Sequence, residues 1–127
     1  MKTRYTVALS MIAGVALGGA AIQGLHAQAK LKAYSIAEVE VTDASAQPGY
    51  LPVVRKEIEQ FHGRSLRTLN GRVVSVEGGT PPKNVAIVEW DSVDDAIAFY
   101  KSKAHDDLAP QRDKATKVVR RYVAEVE

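Results

Sequence analysis

Residues 85–90 read Val-Ala-Ile-Val-Glu-Trp, and this run constrains the fold more than any other part of the chain. Side chains alternate across a strand, so Val85 and Ile87 share one face while Ala86, Val88 and Trp90 share the other. Both faces are apolar. An earlier stretch behaves alike, with Tyr34 and Ile36 opposite Ala37 and Val39. A sheet that is apolar on both sides needs cover on both sides.

The rest of the chain supplies cover for one side. Lys30 to Val41 reads as a strand, and Thr42 to Pro48 as a turn with helix-capping side chains. Leu51, Val54, Ile58 and Phe61 recur at helical spacing, with Pro52 tolerable only in the first turn and Gly63 as the stop. Ser65–Leu69 and Arg72–Glu77 read as one strand interrupted at Asn70-Gly71, and residues 78–82 as a tight connection before the strand 85–90. Ser92 opens a second helix in capping-box spacing with Asp95, and Val93, Ala96, Ile97 and Tyr100 form its buried stripe. A looser helical stretch over Ala104–Lys114, interrupted by Pro110, leads to a last strand over Lys117–Val126. The order is βαββαβ, a ferredoxin-like α+β fold with a four-stranded antiparallel sheet.

Two helices cover one face of such a sheet. The simplest cover for the other is the same face of a second copy, packed as a closed two-fold homodimer. The alternative is a monomer shielded by its N-terminal segment or by residues 103–116.

The chain begins with Lys2 and Arg4, continues as an uncharged apolar run from Tyr5 to Ile22, and reaches Ala27-Gln28-Ala29. This is the pattern of a secretory signal peptide at residues 1–29, with a domain at 30–127 in the periplasm or outside the cell. A retained membrane anchor is the alternative reading, although Gly14, Gly18, Gly19 and Gly24 dilute the run. Loss of residues 1–29 removes two of the 17 basic residues and none of the 15 acidic ones. The domain is then neutral, which argues against nucleic acid as a partner. It also contains no sulfur, since the chain has no Cys and its two Met residues lie in the leader. Thiolate catalysis, iron–sulfur clusters and Cys-based zinc sites are excluded.

The ordered set Lys32-Ala33-Tyr34, Val41-Thr42-Asp43, Gly63-Arg64, Glu77-Gly78, Val88-Glu89-Trp90, Ala96…Phe99-Tyr100…Ser102 and Arg112 resembles the family named domain of unknown function 1330, in the dimeric α/β-barrel superfamily. The resemblance spans residues 30–127. It implies a ferredoxin-like protomer and a dimeric α/β barrel, and it implies no established reaction. There are departures. His62-Gly63-Arg64 stands where relatives have Gly-Gly-Arg, and Thr68-Leu69-Asn70 where they have Arg-Gly-Gly. Phe99-Tyr100 replaces a Trp-Tyr pair, and His105 a tyrosine. If the missing arginine holds an anion in relatives, this chain binds a different one or none.

The candidate catalytic residues are Glu89, Tyr100 and His62. Glu89 ends the most apolar strand, where a carboxylate is either paired with a cation or raised in pKa and fit for a general base. Neighbouring, parallel first and third strands would bring Glu38 towards Glu89, and folding back about residues 78–83 would set Arg72 opposite it. Tyr100 can aim its hydroxyl into a helix–sheet cleft, or be a core tyrosine. His62 is a candidate base or a helix-end cap. Glu38, Arg64, Arg72 and Trp90 are the candidate ligand contacts, Arg64 for its anion-binding fork. His105-Asp106-Asp107 is a poor chelate because neighbours on a helix diverge, and Arg120-Arg121 is a small basic spot on alternating faces. Neither a metal nor a cofactor is expected. The expected function is binding of a small organic anion between sheet and helices. That site serves either a cofactor-independent enzyme or a non-catalytic periplasmic binding or stress protein.

Overall fold

The structure is a computed structural model describing residues 30–127; the signal-peptide reading of residues 1–29 lies outside the described residues. Four strands form one antiparallel sheet: β1 (Ala33–Val41), β2 (Gly63–Ser65), β3 (Asn84–Trp90) and β4 (Thr116–Glu125). Their order across the sheet is β2-β3-β1-β4. Four helices connect them: α1 (Gln47–Gln60), α2 (Val93–Tyr100), α3 (Lys103–Asp107) and α4 (Ala109–Ala115). The βαββαβ order and the α+β class are as expected from the sequence.

The relation of β1 to β3 is not. β3 turns back from β2 and lies between β2 and β1, so it runs antiparallel to both. Tyr34 therefore faces Glu89, and Glu38 faces Val85. Four residues of strand, about 13 Å, separate Glu38 from the Glu89 position. Glu38 instead meets Arg120 on β4 in an ion pair.

β2 is also shorter than expected. It leaves the sheet after Leu66, whose N–H donates to Ile87 O at 2.9 Å. The N–H of Ile87 is then taken by Thr68 Oγ1 at 3.1 Å, and Asn84 Nδ2 donates to Leu69 O at 2.9 Å. Side chains replace the ladder. β3 begins only at Asn84, so residues 72–77 have no strand to pair with, and Val74 and Val76 stand exposed.

Asp43 organises the start of α1. Its Oδ1 accepts from the Ser45 N–H at 2.9 Å and from Ser45 Oγ at 2.6 Å, closing the turn that leads into the helix. Because α1 starts at Gln47, Pro52 falls inside it rather than in its first turn. Its ring lies on the exposed side, and one backbone bond of the ladder is lost there. At the far end His62 adopts φ 66°, the left-handed conformation that reverses a chain after a helix. The capping box of α2 is as read: Ser92 Oγ accepts from Asp95 N at 3.2 Å and donates to Asp95 Oδ2 at 2.8 Å.

Among the described residues, the helices lie on one face of the sheet. The main core joins Ala33, Val88 and Trp90 of that face to Ile58 of α1 and to Ala96 and Phe99 of α2. A second cluster of Tyr50, Leu108 and Ala115 seals α1 against α3 and α4. Trp90 and Phe99 are almost fully buried, with ring centroids 5.3 Å apart. Burial of such aromatic area supplies a large part of the core's stabilisation.

Candidate functional site

Alternation along the strands sorts the sequence-derived candidates onto two different faces. Glu89, Arg64 and Tyr34 lie on the helix-free face, because they form register pairs with one another across β2, β3 and β1. Arg64 Nε donates to Glu89 Oε1 at 2.9 Å, and its terminal nitrogen reaches Asp91 Oδ1 at 2.8 Å. Lys32 Nζ donates to the same Glu89 oxygen at 3.1 Å, and Tyr34 Oη to Oε2 at 2.7 Å.

Three donors on one carboxylate favour its charged form. The Tyr34 hydroxyl first, then Lys32 and Arg64, hold the Glu89 carboxyl down at about 2. The raised pKa that would suit a general base is therefore absent. The partner of Glu89 is Arg64, not Arg72, which lies in the irregular segment after β2. The reason is the early end of β2, which puts its second residue opposite Glu89. Trp90 is wholly inside the core, its Nε1 donating to Ser35 Oγ at 3.0 Å. His62 is exposed at the helix end, where its carbonyl accepts from Asp91 N at 3.2 Å.

Of the predicted site residues, Tyr100 alone lines the cavity between sheet and helices. That cavity measures about 260 Å³. Its apolar wall includes Ala37, Val39, Val88 and Val118 from the sheet with Val54, Ile58 and Phe99 from the helices. Its polar lining includes Arg55, Arg67, His105, Arg112 and Arg121, and no Asp or Glu.

Three of these side chains converge. Arg112 Nη1 lies 3.2 Å from His105 Nε2, and Arg121 Nη1 lies 3.5 Å from the same nitrogen. A guanidinium only donates, so His105 Nε2 is the acceptor and the ring is neutral. Burial, followed by the charges of Arg121 and Arg112, holds His105 below its ordinary value, against the pull of Asp106. Arg121 also lies over the Tyr100 ring, its Cζ 4.7 Å from the centroid, and its buried Nε has no hydrogen-bond partner. The Tyr100 hydroxyl lies 2.7 Å from Ser35 Oγ, and burial raises its pKa. A second, more open concavity borders the same cluster and brings in Thr42, Asp113 and Lys117.

Local sequence explains the placement. Ser102 caps α3 by accepting from His105 N at 3.1 Å, which sets His105 in the first turn facing the ring of Tyr100, centroids 5.3 Å apart. The irregularity between Glu38 and Val39 shifts the β1–β4 register, so that Arg121 pairs with Ala37 and shares its inward face. Arg120 consequently points outward to Glu38. No property of the Arg120-Arg121 pair in sequence distinguishes the inward arginine from the outward one.

Residues 32–126 match the family described as "Domain of unknown function (DUF1330)". The chain belongs to this family. Among solved structures, the DUF1330 chain is similar to RPA0582, a protein of unknown function from Rhodopseudomonas palustris. The identity is 14%, with 84% of this chain and 89% of that one covered and a TM-score of 0.55. A methylated form of RPA0582 matches at 14% identity, over 84% of this chain and 88% of that one, with a TM-score of 0.54. Likeness at this level speaks for the fold. No curated protein matched.

Proposed function

We propose that this DUF1330 chain binds a small organic anion with an apolar body, held in the cavity between the sheet and the helices. One observation carries the reading: Arg112 and Arg121 converge on a neutral imidazole in a chamber lined by apolar side chains and by no carboxylate. Two guanidinium groups brought this close repel each other, and partial burial weakens the screening that water provides. A carboxylate or similar oxyanion between them would satisfy both, including the unpartnered Arg121 Nε. The rest of the ligand would lie against Val54, Ile58, Val88 and Phe99. The polar contacts are few and grouped, as expected where a few groups orient an otherwise apolar ligand.

Binding without turnover is the form of this reading that the side chains support. The enzymatic form with Glu89 as base loses its footing, since three donors saturate that carboxylate on the opposite face of the sheet.

The test is calorimetric titration of the purified protein with benzoate, phenylacetate and octanoate, each beside its neutral amide. The expected result is an acid that binds at least about 10-fold more tightly than its amide, with that preference lost in Arg121→Leu. Equal binding of acid and amide, or no binding by any probe, would overturn the reading.

The helix-free face supports a second element, pairing with another copy of the chain. Tyr34, Ile36, Val85 and Ile87 lie on it only partly buried within one chain, beside an exposed Tyr122. The face also carries both charge signs, in Glu38–Arg120 and Glu89–Arg64, which suits a self-complementary two-fold contact. Sizing of the protein at micromolar concentration should give a dimer that Ile36→Lys dissociates. A monomer throughout would remove this element. Export from the cytoplasm through residues 1–29 belongs to the same reading, and is checked by the N-terminal residue of the protein isolated from its source.

A further inference from the structure

The neutral state of His105 has a consequence for any anion placed beside it. Its Nε2 lone pair is held by two guanidinium donors, and the cation charges on both disfavour a proton there. The charged and titratable groups around it are Arg112 and Asp113 on α4, Arg121 on β4, Tyr100 on α2, Asp106 on its own helix, and Tyr50 on α1 facing the arginines. Lys117, on the rim of the second concavity, adds further positive charge. Asp113 lies 3.5 Å from Arg112 Nε, whereas the ring is met by Arg112 Nη1.

An oxyanion bridging Arg112 and Arg121 changes each of these terms in one direction. It draws the guanidinium donors off Nε2, neutralises the charges that opposed protonation, and offers an acceptor to a new Nε2–H. Resting on the cavity reading above, we propose that anion capture is coupled to uptake of a proton by His105, which becomes a third cationic contact to the bound head group. The balance is simple: one anion and up to one proton enter, and no bond within the ligand breaks. Affinity for such an anion thereby rises as pH falls. The position of the ring supports this, since it packs edge-on against Tyr100 and Phe99 with centroids 5.3 Å from each, which holds Nε2 towards the two arginines.

Calorimetric titration of the purified protein with phenylacetate, at pH about 7 in two buffers of different ionisation heat, reads the number of protons taken up. Phenylacetate is already ionised there, so its own protonation does not enter. The expected result is uptake of a substantial fraction of a proton per ligand, with affinity rising by up to about 10-fold per pH unit on acidification. In His105→Gln, which keeps an acceptor for the arginines and cannot titrate, binding should persist with no proton uptake and a flat pH profile. Binding without proton uptake, or uptake unchanged in His105→Gln, overturns the coupling and leaves the cavity reading intact. Absence of binding at every pH, with benzoate and octanoate as well, overturns the cavity reading and the coupling with it.

Discussion

Arg64 and Glu89 stand directly opposite each other on β2 and β3, joined by Arg64 Nε donating to Glu89 Oε1 at 2.9 Å. The pair turns a carboxylate at the end of the most apolar strand into a structural group that stays charged well below neutral pH. With its pKa at about 2 against an ordinary 4.5, Glu89 contributes stability that is fully present above about 4.5 and lost as pH falls through about 2. Glu89→Gln should therefore melt at a lower temperature than the parent at neutral pH, with the gap closing on acidification. Thermal melts from pH about 7 down to about 2 check this, and a gap independent of pH would assign the loss to packing instead.

Ser35 is the hinge of a buried polar chain, accepting from Trp90 Nε1 at 3.0 Å and lying 2.7 Å from the Tyr100 hydroxyl. Ser35→Ala strands the indole N–H in the core and should cost about 1–3 kcal/mol in denaturant unfolding. Tyr100→Phe leaves the Trp90–Ser35 bond in place and should cost less. Tryptophan fluorescence should shift in the first variant and hardly at all in the second. The reverse ranking would show that the Tyr100 hydroxyl, rather than the indole, depends on Ser35.

Gly63 follows the left-handed His62, and a Cβ on it would lie 2.6 Å from Ile58 Cγ2 and 2.7 Å from two atoms of the Trp90 ring. The ring is enclosed and cannot yield. Gly63→Ala should destabilise by about 1–3 kcal/mol through overpacking, read as a lower denaturant midpoint. Tolerance of the alanine would mean that α1 can move away from β3.

Arg121 is expected to oppose stability while serving the site. Its Nε has no partner, and it shares His105 Nε2 with a second arginine, Arg112. Arg121→Met keeps much of the volume and should raise the unliganded stability by about 0.5–2 kcal/mol, while the affinity for carboxylates falls. A markedly lower melting temperature would show instead that its stacking on Tyr100 holds the helices to the sheet.

Much of the fold was legible because it rests on local patterns. The period-2 alternation of residues 85–90, the helical spacing of Leu51, Val54, Ile58 and Phe61, and the Ser92–Asp95 box each report a conformation within a few residues. The errors came where pairing decided the outcome. Residues 72–77 have the β-branched composition of a strand and no partner in the sheet. Glu89 was legible as important, but the choice between a cation-paired and a raised carboxyl was not, because its pKa depends on Tyr34, Lys32 and Arg64, which lie 25 or more residues away in sequence.

The sequence by itself determined the element order, the two-faced apolar sheet, the absence of cysteine chemistry and the family. These follow from side-chain type and spacing. Only the tertiary structure decided where the chemistry can occur. The register irregularity at Val119 of β4 turns Arg121 inward and Arg120 outward, and the cap on α3 sets His105 between Arg121 and Arg112. A cluster of three side chains drawn from one strand and two helices has no signature in any single stretch of chain. Its charge state is settled by burial and by neighbours that meet only when the sheet and helices close on one another.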